Sequence, residues 1–172
     1  MRLLQKIAPQ LEPFTLEEIK IFLRLQGDQE DAFLSALLSS ARSYVEDVTQ
    51  RSLLKQQWEV RLKPPYSPPS PLVRQREKHI EISLPRPPLL EIVSVTSKDT
   101  NLPYSIEEDK VILSPTAWDK NISLLYWAGY GEECATLPPT LRHAILMVLR
   151  AFYDHQQIDL SLLSPFKVHH FL

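Results

Sequence analysis

The sequence predicts an α+β fold, mainly helical, with a three-helix core, a small antiparallel β subdomain and a proline-rich arm. Three observations predict it. Apolar residues recur at helical spacing near both ends of the chain, alternate with a period of two through its middle, and give way there to a proline cluster. With 172 residues, 44% of them apolar and 23% charged, the chain is long enough to bury one core and too hydrophobic to be disordered throughout. The expectation is a single domain spanning 1–172.

The first helix is announced by Thr15, three residues ahead of Glu18, a capping box in which each side chain satisfies the other's free backbone N–H. It runs through Ile19, Phe22 and Leu23 and is expected to stop near Gly27, after which Asp28 caps a second helix. Leu34, Leu37, Leu38, Ala41, Val45 and Val48 share one face of that second helix, so 14–50 reads as a helical pair. Between 53 and 128 the period becomes two. Trp58, Val60 and Leu62 alternate with Glu59 and Arg61, and Ile80–Leu84, Ile92–Thr96, Val111–Leu113 and Ile122–Trp127 give about four further strands. The arm, 63–79, includes the run from Pro64 to Pro71, which lacks most of the N–H donors a ladder needs. A third helix occupies 137–155, opened by Pro138-Pro139. Its stripe of Leu141, Ala144, Ile145, Val148, Leu149, Phe152 and Tyr153 is widened by Leu146, Met147 and Ala151. The tail, 156–172, carries Leu162-Leu163-Ser164-Pro165-Phe166, more apolar than a free terminus warrants.

Charge and chemistry narrow the function. A net charge of −2 names neither a nucleic acid nor a membrane as partner, and no apolar run reaches the roughly 18 residues of a membrane span. Met1–Lys6 lacks a signal-peptide apolar stretch, and the single cysteine, Cys134, forms no internal disulfide; a soluble protein of a reducing compartment is expected. Fifteen prolines against three glycines suit a rigid, shape-defined protein better than one with flexible phosphate-cradling loops.

With the order helix, helix, strands, helix, tail established, the chain resembles the head-tail connector proteins of tailed bacteriophages, also called adaptors or head-completion proteins and found in phage-like gene transfer agents. The resemblance rests on Leu16-Glu17-Glu18-Ile19-Lys20 with Leu23-Arg24, on 31–41 followed by Val45-Glu46, and on Leu53-Leu54 leading to Gln57-Trp58-Glu59. It continues through Leu84-Pro85-Arg86-Pro87-Pro88-Leu89, Ala128-Gly129-Tyr130, Leu137-Pro138 leading to Ala144-Ile145, and Leu163-Ser164-Pro165-Phe166. It implies a non-enzymatic structural protein without cofactor or metal. The protein would form a ring, commonly of twelve copies, that docks beneath the portal protein and offers the next surface to a tail or stopper protein. Its place would be the virion neck, after assembly in the bacterial host cytoplasm. Leu162, Leu163, Pro165 and Phe166, with Leu146 and Met147 on the last helix, are the candidate contacts to portal or a neighbouring subunit. The longer arm and the residues Lys167–Leu172 depart from the usual pattern.

Sharper chemistry is weaker. Glu108-Asp109-Lys110 with Asp99 matches a loose Mg²⁺-nuclease pattern, the alternative function, but also describes a solvated hairpin turn. Residues 1–50, net −3, would repel phosphate, which counts against a helix-turn-helix DNA binder. Residues 51–86, net +5, include Arg74, Arg76 and Lys78, candidate contacts to packaged DNA or an acidic partner, though solvated strand faces carry such charges too. Cys134 lacks a base at recognisable spacing, His143, His155, His169 and His170 lack a zinc-helix pairing, and Trp58, Trp118 and Trp127 read as core or interface anchors.

Overall fold

The computed structural model describes residues 1–64, 73–76, 79–98, 100–117, 120–158 and 161–168, without the side chains of 74–76 and 162. The chain divides into two compact units, each assembled from distant segments. One takes in Met1–Ala8 and Lys55–Gly129; the other takes in Pro9–Leu54 and Tyr130–Val168.

The first unit is all β among its described residues, apart from one 3-10 turn at Pro115–Ala117. Its strands are β1 (Arg2–Ile7), β2 (Gln56–Leu62), β3 (Val73–Arg76), β4 (His79–Ser83), β5 (Leu89–Ser97), β6 (Thr100–Asn101), β7 (Tyr104–Glu107), β8 (Lys110–Leu113) and β9 (Ile122–Ala128). They form two antiparallel sheets, ordered β1-β2-β9-β5-β6 and β3-β4-β8-β7. Alternation decides which side chains go inside: Val60 and Leu62, Ile80 and Ile82, Val111 and Leu113, and Ile122, Leu124 and Tyr126 close one shared core, while Glu59, Arg61 and Ser123 stay on the outer face. Register shifts in β5 at Leu89/Glu91 and Ile92/Ser94 leave Leu90 and Val93 without ladder partners, and both are exposed.

The segment Leu84-Pro85-Arg86-Pro87-Pro88-Leu89 owes its composition to this core. Leu84 is buried, the Pro85 carbonyl accepts the Tyr126 hydroxyl at 2.6 Å, the Pro88 carbonyl accepts the Gly129 N–H at 2.9 Å, and the Arg86 guanidinium lies 5.6 Å from the Trp58 ring centre. Pro87-Pro88 is a cis peptide. Prolines provide carbonyl acceptors here without adding N–H groups that would need partners.

The second unit holds α1 (Leu16–Leu23), α2 (Asp31–Thr49) and α3 (Pro139–Tyr153), with 3-10 turns at Cys134–Thr136 and Ser161–Phe166. The capping box forms as expected, with the Thr15 hydroxyl accepting the Glu18 N–H at 3.2 Å and the Glu18 carboxylate accepting the Thr15 N–H at 2.8 Å. The three helices share a core of Ile19, Leu34, Leu38, Ala41, Val45, Leu141, Ile145, Val148 and Leu149, so the three-helix core stands. Inside it, Arg42 forks onto Glu12 (2.8 and 3.1 Å) and reaches Glu46 at 2.9 Å, and the other Glu46 oxygen accepts the Leu53 N–H at 2.8 Å.

Four expectations need correction. The fold is α+β but not mainly helical, because strands take 32% of the described residues against 36% for helices. The expected five strands number nine among the described residues; the extra four lie at sheet edges, where exposure erases the apolar signal. Helix α1 ends before Gly27, with Arg24 taking the left-handed position at φ 61°. Asp28 does not cap α2; Glu30 precedes that helix without a side-chain cap, and the Asp28 carboxylate instead accepts from Lys20 at 2.7 Å. Of the arm 63–79, residues Val73–Arg76 are strand β3, and Pro65–Leu72 lies outside the described residues.

Candidate interface surfaces

The C-terminal contact residues separate by burial. Leu163 is 1% exposed and belongs to the helical core, so its apolar area is already covered by its own chain. Phe166 packs partly against that core while its carbonyl accepts from Arg51 Nε at 2.8 Å, and the Val168 N–H donates to the Thr49 carbonyl at 3.0 Å. These bonds fix the segment against the end of α2. Pro165 is exposed; the Leu162 side chain falls outside the described residues. On α3, Leu146 is half-buried and Met147 is 47% exposed.

Met147 and Leu163 come together in a groove of about 330 Å³ beside α3. Ala144, Val148, Ala151 and Ile158 complete its apolar lining, and His143, Arg150, Gln156 and Gln157 supply polar groups. Leu146, Pro165 and Phe166 do not line it. The wide apolar stripe read from the sequence is therefore mostly internal packing. Arg74 and Arg76 sit on edge strand β3, with side chains outside the described residues, as is Lys78.

The other sequence candidates take structural roles. Glu108 and Asp109 form the turn between β7 and β8, as the solvated-hairpin reading expects, and the Asp109 carboxylate accepts the Leu89 N–H at 2.8 Å. Asp99 lies outside the described residues. Cys134 is half-buried, and burial raises its thiol pKa against the opposing pull of Arg142.

Sequence reasoning missed two surfaces. One is a polar recess of about 350 Å³ on the outer face of the five-stranded sheet, where Glu59, Arg61, Lys63, Lys98, Asn121 and Ser123 converge. Glu59 is its centre, accepting from Arg61 Nε at 2.6 Å and from the Ser123 hydroxyl at 2.9 Å, with Lys6 Nζ at 3.5 Å. The hydrogen bond from Arg61, supported by Ser123 and Lys6, holds the Glu59 carboxyl below its ordinary range against the opposing effect of burial. Its stabilising contribution is therefore complete above the ordinary carboxylate pKa and is lost as pH falls through the lowered folded-state value. Glu59→Gln is expected to lower stability by about 1 kcal/mol at neutral pH. In urea titrations the gap between variant and parent should close as the solution is acidified through the carboxylate range. A gap unchanged in acid would remove the charged pair as its cause. The second missed surface is strand β7, which ends the four-stranded sheet among the described residues and on which Tyr104 and Ile106 are 42% and 48% exposed.

Grooves and open sheet edges of this kind offer surface on which other chains can pack. The family described as phage gp6-like head-tail connector protein matches residues 13–111, more than half of the sequence, and the chain belongs to that family of structural connectors. Among solved structures, a chain in the neck of an empty GTA particle computed with C6 symmetry superposes with a TM-score of 0.78 at 17% identity, covering 100% of this chain and 98% of that one. A chain from the virion of a native gene transfer agent (GTA) particle gives 0.75 at 18%, and one from the neck of a native GTA particle computed with C12 symmetry gives 0.74 at 16%, with the same coverages. At these identities the likeness is one of fold. No curated protein matches the chain.

Proposed function

We propose that this connector assembles as a ring, of twelve copies in the finished particle, at the neck of a tailed phage or gene transfer agent. One face docks on the portal protein and the other receives a tail or stopper protein. The chain, 1–172, acts as one connector domain, and its work is done by shape and contact rather than by making or breaking bonds. Assembly takes place in the bacterial host cytoplasm before the protein takes its place in the virion neck. The observation that carries the reading is the family match over residues 13–111, and the fold shared with chains of symmetric particle necks supports it. A ring requires each copy to present two different, complementary surfaces. Met147 with Leu146, and Pro165 with Phe166 and Leu162, are the residues we assign to portal or neighbour contact; Arg74, Arg76 and Lys78 are assigned to packaged DNA or an acidic partner.

Light scattering of the purified chain, alone and with portal protein, tests this. A multimer that forms alone or on adding portal is the expected result. A strict monomer that ignores portal would overturn the reading.

A further inference from the structure

Two of the edge strands of the β unit differ in character. Strand β1 closes one end of the five-stranded sheet and β7 closes one end of the four-stranded sheet. Among the described residues, each leaves backbone N–H and C=O groups at alternate residues without a ladder partner on its outer side.

Residue parity shows what β7 lacks. Ile106 stands opposite Val111 and Tyr104 opposite Leu113, and both partners are buried in the core, so Tyr104 and Ile106 occupy core-facing positions. They are nevertheless nearly half exposed, and among the described residues no further strand lies beyond β7. On β1, Leu3 stands opposite Val60 and Gln5 opposite Trp58, which places these two on the core-facing side as well. A strand that extends the sheet beyond β7 must bring its apolar residues to that same side, or every side chain is inverted.

Resting on the ring reading above, we infer that β7 of one copy pairs antiparallel with β1 of the next, with Leu3 opposite Ile106 and Arg2 opposite Glu107. In this register Gln5 falls opposite Tyr104 and Leu4 opposite Ser105. It joins apolar to apolar on the core side and basic to acidic on the outer side; Arg2 and Glu107 are both exposed in the single chain. Sliding by two residues in one direction places Arg2 opposite Ser105, and in the other places Leu4 opposite Glu107, so either slide loses the pairing of Arg2 with Glu107. Beyond Gln5 the bulge in β1 turns Ile7 to the outer side, opposite Gln57, and ends the usable strand. The two edges belong to different strands, so the contact is heterologous, as ring closure requires.

Cysteine cross-linking of the full chain tests the pairing, with Cys134, the one native cysteine, replaced by Ser. Directly opposed residues of an antiparallel pair have Cβ atoms about 4.5–5.5 Å apart, close enough for a disulfide after small adjustment. A mixture of Leu3→Cys chains and Ile106→Cys chains should oxidise to a mixed dimer that neither forms alone. Leu4→Cys mixed with Ile106→Cys, on opposite sides of the strand pair, should not. Glu107→Lys and Arg2→Glu should each weaken self-association by about two- to fivefold, and the two combined in one chain should restore it. Dimers of Leu3→Cys alone, or equal cross-linking by the Leu4→Cys control, would overturn the pairing. Multimers in light scattering without the mixed disulfide remove the pairing and leave the ring. A monomer without cross-links removes both.

Discussion

Arg42→Met is expected to destabilise the helical unit by about 3–5 kcal/mol, enough to unfold a large share of a marginally stable domain. The reason is what the substitution leaves behind. Arg42 is the cation between Glu12 and Glu46, and Glu46 is 7% exposed. Without the guanidinium, the buried Glu46 carboxylate retains the Leu53 N–H but loses the Arg42 charge beside it. The double change Arg42→Met with Glu46→Leu removes both charges and should recover most of the loss. The remaining deficit, about 1–3 kcal/mol, is that of a buried Leu53 N–H deprived of its acceptor. Urea unfolding followed by far-UV circular dichroism measures both. A single variant as stable as the parent would show that the fork on Glu12 and Glu46 contributes nothing net.

Tyr126→Ala should cost the β unit about 3–5 kcal/mol, because the ring is fully buried where β9 faces the shared core. Tyr126→Phe separates packing from hydrogen bonding. It keeps the ring and strands the Pro85 carbonyl, so about 1–3 kcal/mol is expected from the missing hydroxyl alone. Burial pushes the phenol far above its ordinary pKa, so the hydroxyl remains a donor throughout the pH range in which the protein is handled. Tryptophan fluorescence suits the measurement, since Trp58 packs against this core. Equal losses for the two variants would mean that the ring contributes nothing beyond its hydroxyl.

Where side chains report burial on one face only, the sequence was legible. The stripes of α2 and α3, the alternation in β2, β4 and β9, and the Thr15/Glu18 capping box all came through because each periodicity records a single repeated decision about water. Edges carry no such record. All four residues of β7 are exposed, and β1 opens with adjacent leucines that are both half-buried, so neither shows a clean period. In β5 the two register shifts interrupt alternation from within. The end of α1 is misplaced for a different reason: Arg24, not a glycine, takes the left-handed position, an arrangement about 1 kcal/mol or more dearer that side-chain type does not reveal. The candidate contacts differ in burial. An apolar residue in a tail looks the same on paper whether it lies exposed, as Pro165 does, or fills its own core, as Leu163 does.

Along the sequence, Lys55–Gly129 of the β unit stands between the two segments of the helical one, and this sets an order of events on the ribosome. Helices α1 and α2 emerge early, yet the residues of α3 that cover Leu38, Ala41 and Val45 are translated only after all the strands. Closing so long a loop is slow, and an uncovered stripe is a sticky one. The strands have all their ladder partners by Ala128, so they can set while the helices still wait. A nascent chain therefore holds its helical half open until α3 has been made, which delays any surface built on α3 until after the β unit is complete.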